Sequence, residues 1–120
     1  MIEEYKFGSI TIDGKALGYD VEVWWTDEIL KWWRKESHII DVDDVKRAVE
    51  QNPDTIVIGT GETGLAKVTE EAKNFIKEKG IKLIIDLTEQ ATKTFNVINE
   101  DSFEEEGEQD KVIGLFHLTC

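Results

Sequence analysis

The residues with the most chemical potential in this chain are Gly59–Thr60–Gly61–Glu62–Thr63–Gly64, directly after the β-branched run Thr55–Ile58. A strand that ends in glycines frees backbone N–H groups, and these can cradle a phosphate or a developing oxyanion. The spacing spells G-x-G-x-x-G, and Asp86 closes the next apolar run, where a dinucleotide fold places its ribose-binding acid. Two features argue against a dinucleotide. Leu65–Ala66–Lys67–Val68 intervene before the helix cap at Thr69, whereas the fingerprint opens its helix inside the glycine loop. Little chain also remains for a second nucleotide-binding half. A small-anion or substrate site fits the turn better, and the plainest reading is a tight bend whose glycines permit positive φ.

The other reactive side chains are few. His38 and His117 lack the spacing of metal ligands, so no metal and no cofactor is expected. Cys120 invites a thiol–imidazole pair with His117, but positions 117 and 120 face opposite sides of an extended chain. Trp24, Trp25, Trp32 and Trp33 fall within ten residues, and each can bury roughly 150–250 Å². Core packing explains most of that cluster. The sharper reading keeps one or two of the rings outside as anchors for a partner, beside Arg34 and Lys35. Trp24 and Trp25 are consecutive on an extended segment, so at least one should leave the core.

Composition narrows the classes. The chain has 120 residues, 40% of them apolar, enough for one domain with a real core. Its net charge is −12, from 14 basic and 26 acidic residues. Phosphate backbones are held by clustered lysine and arginine, so nucleic acid and anionic membrane are disfavoured partners. No apolar run approaches the ~18 residues that span a bilayer, and the acidic start Met1–Lys6 does not read as a signal peptide. A single cysteine allows no internal disulfide, and a reducing cytoplasm is the expected compartment.

The elements that must position these groups follow from periodicity. Phe7–Lys15 reads as a hairpin turned by Asp13–Gly14. Tyr19, Val21 and Val23 alternate with Asp20 and Glu22 as a strand with one buried face. Between Trp24 and Trp33 the pattern is ambiguous: Ile29, Trp32, Trp33 and Glu36 fit helical spacing, while Trp24–Trp25 fit the strand. Asp41 with Asp44 forms a capping pair before a helix ended by Asn52–Pro53, and Thr69 caps a second helix stopped by Gly80. Thr55–Ile58 and Ile81–Asp86 read as buried strands, and Thr88 as the cap of a third helix carrying Leu87, Ala91, Phe95 and Ile98. Lys111–Leu118 closes the chain as a strand. The acidic stretch Asn99–Asp110 reads as a solvated loop. Buried strands alternating with helices require a mostly parallel sheet covered on both faces.

Four pieces in order carry a family resemblance: Trp33–Arg34 with His38 and Asp44; Ile58–Gly59–Thr60–Gly61; Thr88 with Ala91, Phe95 and Asn96; and Phe116–His117–Leu118–Thr119–Cys120. Together, from Phe7 to Cys120, they resemble the adipogenesis-associated Mth-domain family. That family contains small archaeal and bacterial proteins of unassigned function and relatives of a mitochondrial respiratory complex I assembly factor. The resemblance implies a three-layer α/β domain around a central mixed sheet with one antiparallel strand, assigned to Val112–Leu118. It carries over no catalytic residue. Asn99–Asp110 is longer and more acidic than the family's usual link before the last strand.

The expectation is therefore a single α/β domain over residues 1–120: a central mixed, mostly parallel sheet, helices on both faces and an N-terminal β-hairpin. A non-enzymatic binding or assembly module with a protein partner is the leading function. Its surface would combine Trp33, Arg34 and His38 with Gly59, Thr60, Gly61 and His117. The alternative is a small-molecule or anion-binding protein or enzyme using the Gly59–Thr60–Gly61 turn. Oligomeric state is not readable from these residues.

Overall fold

The computed structural model describes residues 1–104 and 110–120. Its elements in chain order are β1 (Ile2–Lys6), β2 (Ser9–Ile12), β3 (Lys15–Leu17), β4 (Val21–Trp24), β5 (Ile29–Lys31), β6 (Ile39–Ile40), α1 (Val42–Glu50), β7 (Thr55–Thr60), β8 (Lys67–Val68), α2 (Glu70–Glu78), β9 (Lys82–Asp86), α3 (Thr88–Glu104) and β10 (Val112–His117). Five strands form the central sheet in the order β5-β4-β10-β7-β9. A three-stranded antiparallel sheet, β1-β2-β3, contains the expected N-terminal hairpin. Asp13 and Gly14 both take positive φ, the twist that suits a two-residue hairpin loop.

β7 and β10 make the centre because both are buried along their whole length. Their side chains alternate between faces with the period of a strand. Ile56, Ile58, Ile113 and Leu115 pack with Val45, Ala48, Ala72 and Ile76 of α1 and α2. Val57, Val112 and Phe116 pack on the opposite face with Ala91 and Phe95 of α3 and with Ile2, Ile10 and Ile12 of the small sheet. Phe95 meets Phe116 edge to face, with ring centroids 6.0 Å apart. Asn96 ties α3 to β1 through both the N–H and the carbonyl of Ile2, at 3.0 and 2.7 Å. Layers of helix, sheet, and helix plus small sheet result.

The caps work as their sequences indicate. Asp41 accepts from the Val42 N–H, and Asp44 reaches back to the Asp41 N–H at 2.8 Å, a reciprocal capping box. Thr69 Oγ1 accepts from the Ala72 N–H at 3.1 Å.

Four expectations need correction (the direction of the last strand, the burial of Ile81–Asp86, the cap at Thr88 and the loop reading of Asn99–Glu104), and one ambiguous segment is resolved. The strand antiparallel to its neighbours is β4, not Val112–Leu118: β10 runs parallel to β7 and antiparallel only to β4. The physical reason is that α3 carries the chain back from the end of β9, so β10 starts where β7 starts. The ambiguous Trp24–Trp33 segment is a hairpin, not a helix, closed by Trp24 N–H donating to Glu28 O and Asp27 N–H to Trp24 O. Ile81–Asp86 is not fully buried, because β9 is an edge strand and Ile85 is 38% exposed. Thr88 does not spend its hydroxyl on a helix cap; Asp86 instead accepts from the Leu87 N–H, at 2.8 Å. Of the acidic stretch, residues 105–109 lie outside the described residues, and Asn99–Glu104 belongs to α3.

Candidate functional site

The carboxyl ends of β7, β9 and β10 meet the start of β4 and the segment after β5 on one rim of the sheet. There the structure brings together Arg34, His38 and His117. Arg34 and His117 are joined by Asp20, which lies just before β4. Asp20 Oδ2 accepts from Arg34 Nη2 and sits 2.8 Å from His117 Nδ1, while its Oδ1 accepts from the Leu118 N–H at 2.8 Å. Arg34 Nη2 is also 2.7 Å from His117 Nδ1, and Nε2 of the ring is 3.3 Å from Thr119 Oγ1. A carboxylate only accepts, so at 2.8 Å Nδ1 carries the hydrogen and donates it to Asp20. Arg34 then serves the carboxylate rather than the ring.

Burial makes these bonds matter. The side chains of Arg34 and His117 are 4% and 3% exposed, so each ion or dipole there has few water partners. Burial pushes the Asp20 carboxyl up, but the hydrogen bonds from His117, the Leu118 N–H and Arg34 outweigh it and hold its pKa below the usual value. Arg34 is anchored further by Nη1 on the Glu36 and Ser37 carbonyls and by stacking over Trp32 at 4.8 Å. His38 is exposed and approaches His117 edge to face at 6.3 Å.

The tryptophans divide sharply. Trp32 is 5% exposed, and its indole N–H donates to Asp44 O at 2.8 Å. Trp33, its neighbour, is 82% exposed. Trp24 and Trp25 are both half-buried, Trp24 donating to the buried Glu22 carboxylate. Glu22 is neutralised by Arg47 at 3.1 Å. A cleft of about 310 Å³ lies beside Trp33, lined by Tyr19, Asp20, Lys31, Trp32, Arg34 and Ser37.

Gly59, Thr60 and Gly61 are buried, and the Gly61, Glu62 and Leu65 N–H groups of the turn are used within the chain. The Gly61 N–H donates to Thr88 Oγ1 at 2.8 Å, and that hydroxyl donates to His117 O at 2.6 Å. The Glu62 and Leu65 N–H groups donate to the Thr119 and Cys120 carbonyls, both at 2.8 Å. Each glycine of G-x-G-x-x-G makes room for a neighbour. A Cβ on Gly59 would fall 2.7 Å from Thr88 Oγ1, one on Gly64 2.9 Å from Leu87 Cδ2, and one on Gly61 into the Cys120 carbonyl. Gly61 also holds φ +105, which a side chain strains.

Sequence reasoning missed Asp20 and the bridging role of Thr88. Asp20 looked like the polar half of a strand alternation, and its partners Arg34, His117 and Leu118 lie 14, 97 and 98 positions from it along the chain. No local signal marks it. An Asp–His–hydroxyl series has the order of a nucleophilic array. The two clefts described on this rim are lined by other residues than His117 and Thr119. Among the described residues, no group of three or more His, Cys, Asp or Glu could hold a metal ion. None of the described helices is long and apolar enough to cross a membrane.

A mixed five-stranded sheet between two helices on one face and a helix plus small sheet on the other defines a three-layer Mth-type α/β protein. The chain belongs to the DUF498/DUF598 family, described as proteins of unknown function, which it matches over residues 2–115. Solved structures share the architecture. It is similar to the conserved hypothetical protein PH1505 from Pyrococcus horikoshii OT3, with 24% identity and TM-score 0.81, covering 100% of this chain and 99% of that one. A protein named MT938 matches with 21% identity and TM-score 0.78, over 100% and 98% of the two chains. A protein described as an outer membrane protein from Bartonella henselae matches with 20% identity and TM-score 0.75, over 99% and 94%. At these identities the likeness concerns the fold alone.

Proposed function

We propose that this chain is a non-enzymatic binding or assembly module and that Trp33 is the centre of its protein-binding surface. One observation carries the reading: an indole 82% exposed between two residues whose side chains are almost completely buried. Trp32 is pinned to Asp44 O on one side, and Arg34 to Asp20, Glu36 O and Ser37 O on the other. The backbone carrying Trp33 is therefore rigid, and a partner covering the ring orders little that is not already ordered. Covering ~150–250 Å² of indole at ~25 cal/mol/Å² is worth about 4–6 kcal/mol before association costs, the scale of an interface hot spot.

Half-exposed Tyr19 extends the apolar surface, Arg34 lines the cleft beside it, and exposed His38 belongs to the surface we propose. Gly59, Thr60, Gly61 and His117 support it from below through Thr88 rather than meeting the partner themselves. The partner is a protein: a net charge of −12 repels nucleic acid and anionic membrane alike. The cytoplasm is the compartment we take for it, since one cysteine in 120 residues offers no internal disulfide.

Trp33→Ala tests this. Loss of an exposed ring changes stability by about 0.5 kcal/mol or less. Affinity capture from lysate of the source cells should return a reproducible partner with the wild type and lose it with the variant. A variant that captures the same partner equally well, or a wild type that captures none, overturns the proposal.

A further inference from the structure

The winding of the central sheet reverses between two neighbouring strands, β7 and β9. From the end of β7 the chain leads into α2 on one face, and from the end of β9 into α3 on the other. In open α/β sheets the crevice outside the carboxyl ends of such strands is where ligands sit. A cleft of about 390 Å³ fills this position, lined by Thr60, Thr63, Lys67, Lys73, Asp86 and Leu87 among others. It is separate from the Trp33 surface.

The lining is chemically divided. Lys67 pairs with no carboxylate among the described residues, and Lys73 makes only a 3.3 Å contact with the exposed Glu70. Two ammonium groups thus face one cleft of a strongly acidic chain with little internal neutralisation. Asp86 uses Oδ1 on the Leu87 N–H and leaves Oδ2 available. Leu87 and Ile85 are 45% and 38% exposed and give the cleft an apolar wall. The Gly61, Glu62 and Leu65 N–H groups are already taken by Thr88 and the Thr119–Cys120 carbonyls, and the Thr63 hydroxyl points to the Cys120 carbonyl at 3.4 Å, so the lysines supply the charge that holds an anion here. Because a polyol offers hydroxyl donors, it satisfies the free carboxylate oxygen that a bare anion would repel.

We propose that this cleft binds a phosphate ester of a polyhydroxy compound, with Lys67 and Lys73 on the phosphate, Asp86 on hydroxyls and Leu87 under the sugar or base. The shared chemistry has two sources, a sugar phosphate and a mononucleotide, which a titration separates.

The test is a ¹H–¹⁵N correlation titration of the full chain with ribose 5-phosphate, AMP, inorganic phosphate and ribose, each to about 10 mM, a range that detects millimolar dissociation constants. Ribose 5-phosphate should move the Thr63, Lys67 and Leu87 amides and bind about tenfold more tightly than phosphate or ribose, a difference of ~1.4 kcal/mol. AMP binding more tightly than ribose 5-phosphate identifies a nucleotide site, and equal binding a sugar-phosphate site; either supports the proposal. Asp86→Asn keeps the oxygen that caps Leu87, so it should fold, bind phosphate at least as tightly as the wild type and lose the preference for the ester. Lys67→Gln should weaken both the ester and phosphate. Absence of shifts around the cleft with all four compounds overturns the proposal. So does equal binding of ribose 5-phosphate and phosphate, or wild-type ester binding by Asp86→Asn.

Discussion

Replacing Asp20 by Asn keeps the shape of the side chain and removes its charge. It leaves the Arg34 guanidinium, 4% exposed, without its carboxylate and asks His117 Nδ1 to donate to a neutral oxygen. Breaking a buried pair from one side costs about 3–5 kcal/mol, and Asp20 keeps some solvent contact, which favours the lower end, about 3 kcal/mol. An unfolding entropy near 2.1 cal/mol/K per residue gives about 0.25 kcal/mol/K for 120 residues, so Tm should fall by about 12 °C. The pH dependence follows from the lowered pKa of Asp20. A carboxyl whose folded pKa lies below its unfolded value of ~3.9 stabilises the fold above that value. That contribution disappears as pH falls through the folded pKa. Urea unfolding of the wild type and Asp20→Asn should therefore differ fully at neutral pH, and the gap should begin to close below about pH 4 and vanish only below the folded pKa. Pairing the change with Arg34→Met removes both charges, and the double variant should lose less than the sum of the singles. A loss below about 1 kcal/mol, or a gap that persists unchanged at low pH, would show that Asp20 is a solvated surface acid and that the Trp33 loop is held by other means.

Two further changes probe the glycine turn. Gly61→Ala should destabilise by more than about 3 kcal/mol, from strain at positive φ together with displacement of the Cys120 carbonyl, and thermal unfolding reads it; a Tm within a few degrees of wild type contradicts that packing. Thr88→Val removes the acceptor of the Gly61 N–H and the donor to His117 O, leaving two buried groups unpaired at about 1–3 kcal/mol each. Hydrogen exchange at Gly61 should accelerate accordingly, and unchanged protection there refutes the bridge.

The parts of the fold legible in the sequence were those encoded by neighbours in the chain. Asp13–Gly14, Asp41 with Asp44, and Thr69 each act on backbone groups within three residues of themselves, and each does so in the structure. The apolar runs at Thr55–Ile58 and Lys111–Leu118 became the two central strands, because a run without polar interruption is stable only when covered on both faces. The similar run Ile81–Asp86 ended at the sheet edge instead, since composition reports burial only on average and not strand order. Strand direction was equally hidden. Whether Val112–Leu118 pairs parallel or antiparallel depends on where α3 returns the chain, not on the residues of the strand. The helical spacing of Ile29, Trp32, Trp33 and Glu36 lost to cross-strand pairing of β5 with β4, a tertiary contact that overrides local periodicity.

At the candidate site the same division explains both the success and the gap. Trp33, Arg34, His38 and His117 were visible as rare residue types, and the structure gathers Arg34 and His117 around one carboxylate, with the His38 ring edge to face on His117. Asp20 is a common residue type whose importance arises only when Arg34, His117 and Leu118 converge on it. The glycine pattern taught the opposite lesson. Its three glycines admit Thr88, the chain's own Thr119–Cys120 segment and Leu87, so a motif that elsewhere opens space for pyrophosphate here closes it. The consequence is mechanical. Gly61 is tied through Thr88 to His117, His117 through Asp20 to Arg34, and Arg34 fixes the backbone beside Trp33. Hydrogen bonds in such a buried series reinforce one another, so the loss of one weakens the rest. A change at the glycine turn should therefore be felt at Trp33, on the far side of the sheet rim, without either group touching the other.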